Sequence, residues 1–454
     1  MLFSKRDLAR IILPLIVQQV LAVMVGMINS MMVSSAGEAA VSGVSLVNSL
    51  DTLLILFFTA LVTGGSVVVS QYLGKNDLSL IHASIKQLIY STVFMAVVMA
   101  FLSVTFRYPL LHALFGSAED AVMNHAMDYF FYLALSFPFL ALFNAGCALF
   151  QVMGKTWVSM VTSLLMNIFI IISNFILIQK LEMGAAGASI STLTARAIFS
   201  VLIISLLHNR KNTIYIEKLF HFRPDFKIIR RILRIGVPSG IESALFQFGK
   251  LLTQSLISGL GTAAIAANSV ANDLANFQYM PGHATGMAII TIVGRCIGAG
   301  EKAQAKKYSR ILLGVIYSTL WIVVLLTFLF SKQLIGIYNL SDQASQTARY
   351  LLLTHATLAS FIWPLGFGLP HVFRSASDVK FPLLVSTICM WILRVGGAYV
   401  LAKDSFTLFG LSFPGFGLGI AGVWYAMYID WIVRATLYAW RYFSDRWLRS
   451  YPHL

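Results

Sequence analysis

The sequence predicts an all-α integral membrane protein in which twelve transmembrane helices form two six-helix bundles. Three observations lead there. Charged residues make up 11% of the chain and hydrophobic ones 58%, against about 25% charged in an ordinary soluble domain, so the usual wetted surface cannot be assembled. Lysine and arginine concentrate in alternate loops. The chain also repeats itself at a fixed spacing.

A bilayer-spanning helix takes about 20 mainly apolar residues. Twelve stretches qualify, near residues 10–33, 45–72, 84–106, 129–151, 157–179, 185–207, 236–260, 264–294, 311–331, 350–373, 381–402 and 418–440. Segments 107–128 and 332–349 are polar enough for loops or short surface helices. The opening MLFSKRDLARIILPLIVQQV lacks a small-residue cleavage site after a short apolar core, and it reads as a retained first helix. With the N-terminus inside, inner segments hold 24 Lys and Arg and outer ones 5 (Arg107, Lys180, Lys332, Arg349, Lys403). The other four, Arg196, Lys250, Arg394 and Arg434, fall within helices. That bias places both termini in the cytoplasm, and a multi-pass chain in the plasma (inner) membrane is expected. It also accounts for the net charge of +15 without nucleic acid as a partner. Cys147, Cys296 and Cys389 lie far apart, so neither a disulfide framework nor a metal site is expected.

Pro14 and Pro238, Gly37 and Gly261, and Gly74 and Gly298 are each 224 residues apart (238 minus 14 for the prolines). The contexts agree: IILPLIVQQ aligns with IGVPSGIES, SQYLGKND with GRCIGAGE, and MGAAGAS with LGIAGVW. Six helices followed by six in the same orientation predict an N-terminal lobe, 1–207, and a C-terminal lobe, 236–454, about a pseudo-twofold axis along the membrane normal. Residues 208–235 form a basic cytoplasmic linker. In it Lys227, Arg230, Arg231 and Arg234 interleave with Ile228, Ile229, Ile232 and Ile235, the pattern of an interfacial amphipathic helix.

Duplicated bundles with a polar site near their interface suit alternating access. There is no GxxxxGK[ST], so ATP hydrolysis is not expected. GRCIGAG ends a helix without a preceding strand, which makes it a packing and turn motif rather than a dinucleotide cradle. A membrane-embedded enzyme would need acids or histidines clustered at one depth, and the sequence presents none; His283 is a lone helical histidine.

In their order and spacing, GMINSMMVSSAGEAAVSGVSLVNSL, TGGSVVVSQYLGKND, GVPSGIESALFQFGK, GTAAIAANSVA, GRCIGAGEKAQAKKYS, FRSASDVKFP and GAAGASIST resemble the multidrug and toxic compound extrusion family over essentially the whole chain. The resemblance implies two six-helix lobes around a V-shaped central cavity. It implies export of amphipathic, mainly cationic compounds in exchange for H+ or Na+, with no cofactor and with the bilayer as the only other partner of a monomer. Pro14 and Pro238 are its structural helix-one and helix-seven prolines. Relatives commonly carry an aspartate fifteen residues after the first of these; here that place holds Asn29. Asn144, Asn174 and Thr192 resemble the first lobe's polar pocket. Helix ten has no carboxylate, which leaves Glu242 on helix seven as the second-lobe ion candidate.

Four acids lie within predicted helices: Asp51, Glu242, Asp273 and Asp430. Each costs about 2.5–3.5 kcal/mol at mid-helix unless it faces protein or water. The repeat sets Asp273 within two positions of Asp51. Either the two confront each other across a cleft and raise one another's proton affinity, or each is hydrated near the outer surface. Glu242 and Lys250 are eight residues apart, a rotation of about 800° and a rise of about 12 Å, so they cannot pair directly. Lys250 then needs another acid, and a proton, a cationic drug and the ammonium would compete for it. Arg196 reads as structural. Arg394 with Lys250 gives the second lobe an affinity for anions, and this keeps open a flippase for lipid-linked polysaccharide or cell-wall precursors. Phe246, Gln247, Phe248, Phe277, Tyr279 and Trp363 fall on helices seven, eight and ten as candidate cavity walls, the rings able to hold flat cations.

Overall fold

The computed structural model describes residues 3–35, 37–116, 119–210, 212–216, 224–338, 340–408 and 411–449. By contacts the chain divides into two compact units, Met1–Gly240 with Gly294–Gly300, and Ile241–Val293 with Glu301–Leu454.

The first unit is built from α1 (Lys5–Ser34), α2 (Glu38–Lys75), α3 (Leu78–Thr105), the short α4 (Arg107–Phe115), α5 (Asp120–Leu135), α6 (Phe137–Val152), α7 (Thr156–Asn174) and α8 (Gly184–Leu207). Local sequence sets their ends. Ser4 and Asp7 form a capping box on α1: the Asp7 carboxylate accepts from the Ser4 amide at 2.9 Å and the Ser4 hydroxyl from the Asp7 amide at 3.2 Å. In the KND turn Asn76 takes a left-handed φ of 60° and Asp77 caps α3. The expected fourth span, 129–151, is instead a pair, α5 and α6, bent by 48° at Ser136. Pro138 lies in the first turn of α6, where a missing N–H is tolerated but the preceding helix cannot run through. Segment 107–128, expected as loop, contains α4 and the start of α5.

The second half supplies α9 (Phe226–Ser258), α10 (Thr262–Gly298), α11 (Lys302–Gly336), α12 (Asp342–Trp363), α13 (Leu369–Ser375), α14 (Lys380–Ile388), α15 (Gly397–Ala402) and α16 (Gly419–Phe443). Wide π-helical turns, Pro364–Gly368 and Cys389–Gly396, join α12 to α13 and α14 to α15. Eight helices among the described residues are long and apolar enough to cross a membrane, and nine if the bent pair is one span. The other three, α9, α10 and α16, have 33, 37 and 25 residues and include Glu242 with Lys250, Asp273, and Asp430 with Arg434. Together these are the twelve expected spans. The all-α class holds, with one small addition: Ser405–Leu408 (β1) and Leu411–Pro414 (β2) pair as an antiparallel hairpin. One expectation is corrected: the basic amphipathic stretch is not a separate helix, because Lys227 to Arg234 form the opening turns of α9, which continues through Pro238. Linker residues 211 and 217–223 lie outside the described residues.

Repeat-related glycines meet inside the first unit. A methyl group on Gly74 would strike the carbonyl oxygen of Arg295, and one on Gly298 the carbonyl oxygen of Gln71. Between them Gly294 faces the Ser70 hydroxyl. Only residues without Cβ let α2 and the end of α10 cross so closely. Arg231 secures the same region, donating to Gln71 Oε1 at 2.6 Å and to the Tyr72 hydroxyl at 2.9 Å. Gly74→Val is therefore expected to lower stability by about 1–3 kcal/mol through overpacking against backbone. Thermal unfolding of the purified protein checks this, and an unchanged midpoint would contradict the close crossing.

Candidate functional site

In the first unit, the break at Ser136 has a use. The Ser136 hydroxyl accepts from Arg196 at 2.7 Å, and Arg196 lies 4.0 Å from the carboxylate of Asp51. Asp51 is 7% exposed and its Oδ1 has no hydrogen-bond partner. It is thus a buried acid with a local counter-ion rather than a hydrated one. Arg196 holds it, as the structural reading of that arginine expects. Asn29 and Asn174 come together, the Asn174 amide donating to Asn29 Oδ1 at 3.2 Å. Asn144 is half-buried on α6, and the Thr192 hydroxyl bonds back to the Ala188 carbonyl of its own helix.

The second unit concentrates charge. Glu242 on α9 is buried and accepts from Arg374 of α13 at 2.7 Å. Its counter-ion is therefore an arginine of FRSASD, and not Lys250. Asp430 on α16 is fully buried and accepts twice from Arg434, one turn along, at 2.7 and 3.1 Å. Arg394, in the π-helical turn before α15, approaches the other oxygen of Asp430 at 3.9 Å. Both guanidiniums lie over the Phe246 ring, 5.6 and 5.5 Å from its centre, where the negative ring face offsets part of their cost. The π turn is what swings Arg394 inward, since an extra residue per turn redirects the side chains around it.

Beside these cations is a cavity of about 270 Å³, lined by Lys250, Arg394, Asp273, Asn272, Asn268 and Trp424 among others. Its polar wall is pre-set: Asn268 donates to Gln254 Oε1 at 3.0 Å and accepts from Trp424 Nε1 at 3.0 Å and from Asn272 at 3.0 Å. Asp273 is exposed on α10 and makes no ion pair within 4 Å among the described residues. Asp51 belongs to the first unit.

The candidate aromatic residues separate. Tyr279 and Trp363 stack with ring centres 5.2 Å apart, and Phe367 also stacks on Trp363 at 5.4 Å. Phe248 and Phe277 are exposed on α9 and α10, and Gln247 is half-buried. The sequence reading missed His355, which closes a chain of donors. Tyr279 O–H donates to its Nε2, and its Nδ1–H donates to Gln278 Oε1 at 3.1 Å. The Gln278 amide donates to the Thr327 hydroxyl at 3.2 Å, which ends on the Val323 carbonyl at 2.9 Å. Every member is satisfied, so the wall behind Trp363 is rigid. His283 meets the Trp363 ring edge-on at 5.3 Å.

Gly282 admits Trp363, because a Cβ there would enter the indole ring. Gly282→Val should unstack Trp363 from Tyr279 and lower stability by about 1–3 kcal/mol; near-ultraviolet circular dichroism would show the lost ring coupling. A retained spectrum would contradict the packing described.

Among the described residues no three His, Cys, Asp or Glu gather as a metal group would require. The site is a charged, aromatic cavity in a membrane-spanning helix bundle.

Comparison with known proteins supplies the relationship. The MatE family profile matches twice, over residues 14–176 and 238–400, starting at the two repeat-related prolines. An uncharacterized transporter of Bacillus subtilis strain 168, YisQ, is 28% identical, over 96% of this chain and 94% of its own. The probable multidrug resistance protein NorM of Thermotoga maritima is 24% identical, over 98% and 93%. A solved structure of MATE in the bent conformation superimposes with a TM-score of 0.87 at 18% identity, covering 98% of this chain and 96% of that one, and shows the shared fold. The chain belongs to the MatE family, the multidrug and toxic compound extrusion transporters of the membrane.

Proposed function

We propose that the protein is a secondary active antiporter that exports amphipathic organic compounds in exchange for H+ or Na+ by alternating access. The observation that supports this most is Glu242. It is a buried carboxylate on a membrane helix, held by one arginine, Arg374, and its partner can be exchanged for a proton or a sodium ion. A structural ion pair alone would be costly to keep in hydrocarbon, where well-packed apolar residues of like volume serve as well or better. NorM relatives named as probable multidrug resistance proteins support the substrate range. In this reading the chain acts as a monomer in the plasma (inner) membrane, with both termini in the cytoplasm and no cofactor. The test is uptake of a cationic dye into proteoliposomes under an imposed pH gradient and, separately, an imposed Na+ gradient. Acceleration by one of them identifies the coupling ion; uptake indifferent to both would overturn antiport.

A further inference from the structure

We propose that the cavity beside α9 binds the carboxylate of a small amphipathic organic acid, gripped by Lys250 and Arg394. This narrows the substrate class of the transport reading and rests on it only for physiological meaning.

Both cations line the same space of about 270 Å³. An ammonium offers three N–H donors and a guanidinium five. Among the described residues, neither side chain donates a hydrogen bond to the protein, and no carboxylate lies within 4 Å of the Lys250 ammonium. The acid nearest Arg394 is Asp430, at 3.9 Å, beyond hydrogen-bond reach and already engaged twice by Arg434. The lining therefore carries two cations against the single acid Asp273. A purely cationic ligand would meet net repulsion here. A carboxylate satisfies both donors at once, and the planar guanidinium matches its two oxygens.

The rest of the wall describes the ligand's body. Trp424 is fixed by its bond to Asn268, and Ile257, Val423 and Met427 are apolar. A flat ring system fits against that surface. The volume lies just below the usual range of ligand cavities, about 300–1,000 Å³, so the body has one or two rings and is not a whole lipid-linked glycan.

The test is equilibrium binding of naphthalene-1-carboxylate and its uncharged analogue naphthalene-1-carboxamide to the purified full-length protein in nanodiscs. The carboxylate should bind at least about tenfold more tightly, the factor expected of charge-assisted hydrogen bonds. Lys250→Met and Arg394→Gln should each bring the two affinities together. If Arg394→Gln fails to fold, Lys250→Met decides alone, because among the described residues Lys250 is engaged in no ion pair. Equal binding by the wild type, or an undiminished preference in Lys250→Met, overturns the proposal. Binding is read without any gradient, so carboxylate preference without coupled transport would overturn the antiport reading and uphold this one. Coupled dye transport without carboxylate preference would do the reverse.

Discussion

Asp430→Asn is expected to be the most destabilising single substitution in the second unit, at about 3–5 kcal/mol. The magnitude follows from what the carboxylate faces. It is fully buried, it receives two hydrogen bonds from Arg434, and it is the acid nearest Arg394. Removing its charge strands two arginines in a low-dielectric interior, where an uncompensated ion costs far more than an ion pair returns. Substituting Arg434 by Met together with Asp430 by Leu should recover part of the loss, since one stranded charge then disappears and volume is kept. Thermal unfolding followed by tryptophan fluorescence distinguishes these outcomes. A single variant within about 1 kcal/mol of wild type, the scale of an ordinary point mutation, would show that Asp430 does not neutralise this cluster.

The second large effect concerns function. Glu242→Gln keeps the shape of the side chain and an oxygen for Arg374, so the fold should survive while the exchangeable charge is gone. Gradient-driven uptake into proteoliposomes should fall to the rate seen without a gradient. If gradient-driven uptake persists in this variant, the ion site moves to Asp51 and Asp273. Of those two, Asp51 is the better shielded, buried beside Arg196 with one oxygen lacking any hydrogen bond.

Long apolar runs, the glycine and proline repeat and the charged loops were readable in the sequence because each depends on local composition. Glu242 and Lys250 stood out for the same reason: a charge among apolar neighbours is visible in one dimension. The partner of Glu242 was not. Arg374 is 132 residues from Glu242, and nothing local links an arginine near a helix end to an acid on a different helix. The same distance problem hid the Tyr279–His355–Gln278 chain, although His355 in an apolar run was itself a signal. Helix breaks were obscured because Pro138 follows a residue that suits either state. The hairpin was within reach: SFTL and the LSF of LSFP alternate polar and apolar residues with period two. The direction of Arg394 was not readable, because it depends on a π-helical turn whose extra residue has no compositional mark.

The crossing at Gly74 and Gly298 has an evolutionary consequence. Gly74 touches the backbone of Arg295 while Gly298 touches that of Gln71, and Gln71 and Arg295 are themselves counterparts 224 positions apart (295 minus 71). Such a reciprocal, self-complementary contact is the geometry of an isologous homodimer. A six-helix ancestor would have satisfied it by associating with its own copy, before gene fusion turned two encounters between strangers into one intramolecular event. The covalent joint between α8 and α9 is then a later convenience. Severing it there and co-producing the two fragments should return an assembled transporter.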